Sequence, residues 1–320
     1  MERKKENISI SIVTTMFYSE PYLLEFYNRI KKTVEKITKN YEIIFVDDGS
    51  PDKALEMALE FHKQNNKVKV IELSRNFGHQ KAMITGITNT IGDYVFLIDC
   101  DLEEEPELLS DFWKKLTKEE NYDVIYGVQK KRKGGLFEKL SGFLFYYFFN
   151  KISNIKIPKN ELVARLMNRN YVNALIKYNE EDPVFGGLAA HAGFRQFGVP
   201  VTKKHKGKTT YNSSRKIKLF VNTITSFSAR PLYYIFLLGV TISFVSGLYI
   251  LYLILLKFIM KESIVGWTST IVSIWFLGGL MLFSLGIIGI YIERIFNQIK
   301  NRPFVNVRNY YGIKSLNRKK

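Results

Sequence analysis

The chain has 320 residues, 47 Lys or Arg against 30 Asp or Glu, a formal charge of +17 and one cysteine, Cys100. A lone cysteine excludes an internal disulfide, and this length holds one or two domains with a sizeable core. So basic a balance points to nucleic acid, an anionic membrane surface or a phosphorylated ligand as partner.

The basic start MERKKENISISIV has no apolar core of signal-peptide length, so no cleavable signal is expected. ISISIVTTM reads as a strand, and Tyr22 to Ile37 as a helix with Leu23, Phe26, Tyr27, Ile30 and Val34 on one side. YEIIFVDDGS is an apolar strand that ends in two acids and a Gly turn. Asp52 to His62 is helical, with Leu55, Leu59 and His62 in line; KVKVIELS is a strand and Gln80 to Thr90 a helix. DYVFLIDCD is a strand, Pro106 to Leu116 a helix with Pro in its first turn, and Tyr122 to Val128 a further strand. Strands alternating with helices predict an α/β domain with a mostly parallel sheet. Ligands of such sheets sit beyond the carboxyl ends of the strands. Here those ends are Asp47-Asp48-Gly49-Ser50, Ser74-Arg75-Asn76 and Asp99-Cys100-Asp101, three polar tips that one crevice would collect.

The next segment opens with a basic loop, KKRKGG, and continues as LFEKLSGFLFYYFFNKI. Aromatics with lysines at both ends predict an interfacial helix at about 135–152, with a plain core helix as the alternative. Residues 215–228 form a second interfacial candidate. Pro231 to Leu256 and Ser263 to Ile292 then carry no charge at all. Each exceeds the roughly 20 apolar residues a helix needs to cross a bilayer, which predicts a transmembrane hairpin over 229–292, with spans at 231–256 and 264–292. The tail, 293–320, carries Arg294, Lys300, Arg302, Arg308, Lys314, Arg318, Lys319 and Lys320 against Glu293. By the positive-inside rule this basic tail is cytoplasmic, and residues 1–228 lie on the same side. The basic excess that flanks membrane segments accounts for much of the charge, at about 1 kcal/mol per Lys or Arg on anionic lipid. No nucleic-acid partner is therefore expected.

Asp99 and Asp101 alternate at an extended tip and could share a divalent ion with phosphate oxygens; hard oxygen donors suit Mg²⁺ or Mn²⁺. An Asp-x-Asp by itself is common. An acidic helix start accounts for part of Glu103, Glu104 and Glu105. The chain lacks G-x-S-x-G, G-x-G-x-x-G after a strand and G-x-x-x-x-G-K. Of the histidines, His62, His79, His191 and His205, only His79 follows a strand tip and could approach the crevice.

Taken together, DDGS, LSRNFGHQKA, DCDLEEEP and SFSARPL leading into an apolar hairpin are similar to motifs of the polyisoprenyl-phosphate glycosyltransferases of glycosyltransferase family 2. This group includes dolichol-phosphate mannose synthase and the bactoprenol glucosyltransferases. The resemblance runs from Ser9 to about Val307. It implies a Rossmann-like GT-A fold, a nucleotide-sugar donor with UDP-sugars favoured, Mg²⁺ or Mn²⁺, and a polyprenyl phosphate acceptor at the bilayer, with undecaprenyl phosphate and a bacterial cytoplasmic membrane as the simplest setting. A homo-oligomer, a tetramer, also accords with it.

By the same resemblance Asp47 and Asp48 hold the nucleotide base and ribose, with Arg75 and Asn76 beside them. Asp99 and Asp101 are the catalytic pair, Asp101 the more direct metal ligand and Glu103 a third candidate. Lys131 and Arg132 close over the donor diphosphate. Lys139, Ser141, Arg165 and Lys204 face the acceptor phosphate. Relatives commonly carry Pro near Thr15 and an acid in the place of Val163, so a catalytic base at that position is not expected; Gly207 to Tyr211 replaces a GESKY-like stretch. A phosphate monoester is already ionised near neutral pH, so alignment and leaving-group stabilisation carry the reaction. A single in-line displacement predicts inversion at the anomeric carbon. Two rivals are weighed. A processive polysaccharide synthase would carry Gln-x-x-Arg-Trp, and none of Trp113, Trp267 and Trp275 has that context. A non-catalytic membrane adaptor of this fold would not require Asp47, Asp48, Asp99 and Asp101.

Overall fold

The structure, a computed structural model, describes residues 8–118, 122–130, 158, 160–178, 180–181, 183–203, 224–225, 228–260, 266–300 and 302–313. The chain divides into two compact units. The first contains β1 (Ile10–Met16), α1 (Glu20–Glu35), β2 (Tyr41–Asp47), α2 (Ala54–Gln64), β3 (Val68–Leu73), α3 (His79–Thr88), β4 (Tyr94–Leu97) and α4 (Leu108–Lys118). It continues with β5 (Val124–Gln129), β6 (Glu161–Asn168), α5 (Arg169–Leu175), α6 (Phe185–His191), β7 (Gln196–Val201) and β8 (Val307–Tyr311).

The eight strands form one sheet in the order β7-β5-β6-β4-β1-β2-β3-β8. β4, β1, β2 and β3 are parallel neighbours, as are β5 and β7, while β6 and β8 pair antiparallel. All strands except β6 and β8 thus point the same way, and six carboxyl ends share one edge. The middle strands are buried on both faces and read as continuous apolar runs: Ile43, Ile44, Phe45 and Val46 of β2 are fully buried. Alternation alone would not mark such strands; helices on both sides require the apolar run.

α1 buries Leu23, Phe26, Tyr27, Ile30 and Val34, the stripe its periodicity predicts. α2 is rotated from expectation. It buries Ala54, Ala58 and Phe61, leaves Leu55 and Leu59 half-covered, and turns His62 Nδ1 to the Val68 carbonyl at 2.6 Å. Phe61 stacks on Tyr27 at 4.3 Å, so the larger aromatic takes the core position. α3 lies so close to the sheet that a Cβ on Gly86 would meet Val13 Cγ1 at 2.4 Å and Val46 Cγ2 at 2.9 Å. Helix α4 starts at Leu108, after the Pro106 turn rather than at it.

Three strands lie beyond the predicted alternation. β6 and β7 complete the sheet on one side. β8, in residues assigned to the basic tail, pairs with β3 on the other. The second unit contains α7 (Arg230–Met260) and α8 (Trp267–Ile299). Within it, Ser273–Ile299 is long and apolar enough to cross a membrane, and none of its most apolar window is buried. Trp275, Phe276, Met281, Leu282 and Phe283 are all more than 60% exposed. α8 runs on past Ile292, the predicted end of the span, through Glu293 and Arg294. Tyr291 Oη donates to the Ser228 carbonyl at 2.7 Å and Arg294 to Thr225 Oγ1 at 2.9 Å. The interfacial segment at 135–152, and all of 215–228 except 224, 225 and 228, lie outside the described residues.

Candidate active site

Chain direction brings the polar tips together. Asp47 ends β2 and is 3% exposed; Asp48 follows at 2%. Asp47 Oδ1 accepts the Ser50 amide at 3.2 Å. Burial pushes its carboxyl up to about 6, against the backbone hydrogen bonds of Ser50 and Gly49 and with help from the charges of Glu72 and Asp48. Asp48 uses both oxygens on the next loop: Oδ1 accepts the Phe77 amide at 2.7 Å and Oδ2 the Gly78 amide at 3.0 Å. Burial raises Asp48 too, opposed by those two amides and by His79 and Arg75. Gly49, at φ +66°, packs its Cα against the same loop; a Cβ there would stand 2.7 Å from Arg75 C and Asn76 N. Asp47 therefore lies buried at the strand end while Asp48 holds the loop that carries Arg75 and Asn76. Both of those residues are exposed, with the Arg75 guanidinium 4.1 Å from the centre of the Phe77 ring.

Past β4 the chain turns through Asp99-Cys100-Asp101. Cys100 points inward, where its thiol donates to the Thr15 carbonyl at 3.1 Å and burial pushes it up to about 12. Asp99 and Asp101 are half-buried on the outer side. Burial and the Asp101 charge push Asp99 up to about 7, with Lys203 opposing. Asp101 Oδ1 accepts the Glu103 amide at 3.0 Å across Leu102, whose φ of 60° is strained for a leucine. His79, at the start of α3, links this tip to β1: Nε2 lies 3.4 Å from Asp99 Oδ1 and Nδ1 3.0 Å from Thr15 Oγ1. Burial lowers its basicity, against the pull of Asp48, Asp101 and Glu104.

Glu103 does not face an open crevice. Lys203, just after β7, sits 2.6 Å from its Oε2. Burial pulls Lys203 down, but the hydrogen bond to Glu103 and the charges of Glu104 and Asp101 outweigh it and the net shift is upward. Glu104 is no helix-start acid either. It is 2% exposed, and its two oxygens accept the Val163 amide at 3.2 Å and the Ala164 amide at 2.7 Å. Arg165, expected at the acceptor phosphate, is 2% exposed and paired to Glu161 at 2.6 Å, with its guanidinium 4.6 Å from the Phe185 ring centre. Its Nη1 has no hydrogen-bond partner among the described residues. Glu161, four residues before Arg165, is thus its acidic partner. Lys131, Arg132, Lys139, Ser141 and Lys204 lie outside the described residues. Lys203 and Glu161 were not singled out from sequence. β6 and β7 bring them to the edge, and those strands carry no strong periodic signal.

No group of three or more His, Cys, Asp or Glu converges as a complete metal site among the described residues. The donors that do meet, Asp99 and Asp101, are oxygen only and repel each other. That set fits a hard divalent ion completed by water and substrate phosphates better than an all-protein cage.

Parallel strands flanked by helices, with acids clustered at their carboxyl ends, define a GT-A-like α/β fold. The glycosyl transferase family 2 model matches residues 11–176. A Mycobacterium tuberculosis relative whose name places it among glycosyltransferases is 44% identical over 303 residues, covering 95% of this chain and 88% of its own. Uncharacterized glycosyltransferase YkcC of Bacillus subtilis is 35% identical over 312 residues, covering 97% and 96%. The prophage bactoprenol glucosyl transferase homolog of Escherichia coli is 29% identical over 299 residues, covering 92% and 97%. The chain belongs to glycosyltransferase family 2 and is a glycosyltransferase.

Proposed function

We propose that this enzyme moves a sugar from a nucleotide-sugar, a UDP-sugar in the first instance, to a polyprenyl phosphate such as undecaprenyl phosphate. The observation that carries the reading is one crevice-edge acid set, Asp47 with Asp99 and Asp101, in a chain that also contains an exposed apolar helix of membrane length. At 1.5 Å per residue the 27 residues of Ser273–Ile299 reach about 40 Å, more than the roughly 30 Å hydrocarbon core. α7, with its charge-free run, completes a hairpin in this reading, and both chain ends face the cytoplasm.

Asp47 accepts from the base or ribose, and Arg75 and Asn76 flank the nucleotide. Asp99 and Asp101 hold Mg²⁺ or Mn²⁺, which supplies charge neutralisation at the leaving diphosphate. Glu103 joins them only by leaving Lys203. Lys131 and Arg132 act on the same diphosphate, and Lys139, Ser141 and Lys204 on the acceptor phosphate. Arg165 supports the floor of the site through Glu161 in place of direct contact. An acceptor phosphate oxygen bonds to the anomeric carbon as its bond to the diphosphate oxygen breaks, with inversion; a retained product configuration by NMR would refute that step.

The deciding experiment incubates membranes containing the protein with labelled nucleotide sugars, undecaprenyl phosphate and divalent metal. Label entering the organic phase is expected from one donor. None from any donor would overturn the reading.

A further inference from the structure

Glu72 lies near the end of β3, 6% exposed, and among the described residues the side chains that hydrogen-bond its carboxylate come from β8. Arg308 Nη1 donates to it at 3.1 Å, Asn309 Nδ2 at 2.8 Å and the Tyr311 hydroxyl at 3.1 Å. Glu72 is also the register partner of Asp47 on β2, and its charge acts on Asp47. β8 reaches the neighbouring loop as well. The Ser74 amide donates to the Asn306 carbonyl at 2.9 Å, and Arg308 Nη2 donates to the Ser74 carbonyl at 3.2 Å. Arg75 and Asn76 follow directly, pressed against Gly49.

Two routes therefore run from β8 to the nucleotide end of the sheet. One passes through Glu72 to Asp47, the other through Ser74 to Arg75 and Asn76. Glu72 is a buried acid beside another buried acid, an arrangement that costs stability unless cations and donors hold it. A strand that only covered a sheet edge would need backbone pairing alone. This one also supplies three side chains to a single carboxylate.

We propose that β8 is a positioning strand for the nucleotide donor, with Arg308 its principal positioning residue. Arg308, Asn309 and Tyr311 fix Glu72, and the ordered Glu72 and Ser74 fix the residues that meet the nucleotide. The inference rests on the donor reading above. It adds that residues far along the chain, beyond α8, set donor affinity without touching the donor.

The test uses the full chain in lipid nanodiscs and measures UDP and GDP binding by calorimetry, with thermal melting as a check on folding. Wild type is expected to bind one nucleotide, and Asp47→Asn to weaken it. Arg308→Ala is expected to weaken binding about tenfold. The double variant Arg308→Ala/Glu72→Gln is expected to recover the part of that loss carried through Glu72, because no buried charge without a cation remains beside Asp47, while the part carried through Ser74 persists. In turnover, donor KM rises in Arg308→Ala while acceptor KM holds. Undiminished binding by Arg308→Ala overturns the inference alone. A wild type that binds neither nucleotide refutes the donor reading, and this inference with it.

Discussion

Glu104 Oε2 accepts the Ala164 amide at 2.7 Å, so an acid in the turn after β4 fastens β6 to the acidic tip. Glu104→Ala would strand two amides, that of Ala164 buried and that of Val163 part-buried. Each unsatisfied group costs about 1–3 kcal/mol, so a clear loss of thermal stability is expected. Glu104→Gln keeps one carbonyl acceptor and should lose less. Equal melting temperatures for the two variants would contradict this role.

Asp47 predicts a pH dependence of donor binding. Its carboxyl is pushed up from 3.8 to about 6 in the fold. In the proposed donor site the ionised form accepts hydrogen bonds from the nucleotide, so binding should hold above that value and weaken as pH falls through about 6. The folded-state value is raised, so the same group favours the folded state most at low pH, and that contribution is lost as pH rises from its unfolded value through about 6. Nucleotide affinity measured from pH 5 to 8 should show the step, and Asp47→Asn should flatten it.

Cys100 should be inert. Its thiol is 2% exposed and held far from ionisation. Iodoacetamide should leave the native protein unlabelled and active. Cys100→Ser, whose hydroxyl can still donate to the Thr15 carbonyl, should retain turnover.

In the proposed metal site, variants at Asp101 and Lys203 distinguish two candidate acids, Asp101 and Glu103. Asp101→Asn should cut turnover by about 100-fold. Lys203→Gln frees Glu103, and if that acid then joins the site, less metal should be needed for half-maximal activity. An unchanged metal titration would leave Glu103 as the partner of Lys203 alone.

Gly86 tests the packing of α3. A Cβ there meets Val13 and Val46 side chains within 3 Å. Gly86→Ala gains helix propensity but overpacks the core, at about 1–3 kcal/mol. Thermal melting should fall; a rise would show that α3 can shift outward.

The parallel half of the fold and three of its polar tips were legible because local patterns report them. Apolar runs such as IIFV mark strands buried on both faces, and the spacing of Leu23, Phe26, Tyr27, Ile30 and Val34 marks the buried stripe of α1. What was not legible depends on distant partners. β8 is a five-residue strand, and Arg308 meets Glu72 across 236 positions. The most buried side of α2 is not legible because Leu55 and Leu59 outweigh two alanines in a periodic reading, while Ala54, Ala58 and Phe61 are the residues the fold buries and the two leucines pack at its margin. Lys203 meets Glu103 at the acidic tip because β7 ends two residues before it, a placement no local pattern reports.

Because β8 follows α8 and closes the same sheet that β1 opens, the apolar helices are an insertion in the catalytic unit rather than an appendage to it. A soluble form made by cutting the chain before α7 would lose an edge strand and leave Glu72 with none of its three donors. Excising the helices and rejoining the chain ahead of Arg302 would keep the sheet whole. The two forms, compared by melting temperature, would show how much of the enzyme's integrity lies in the stretch that follows α8.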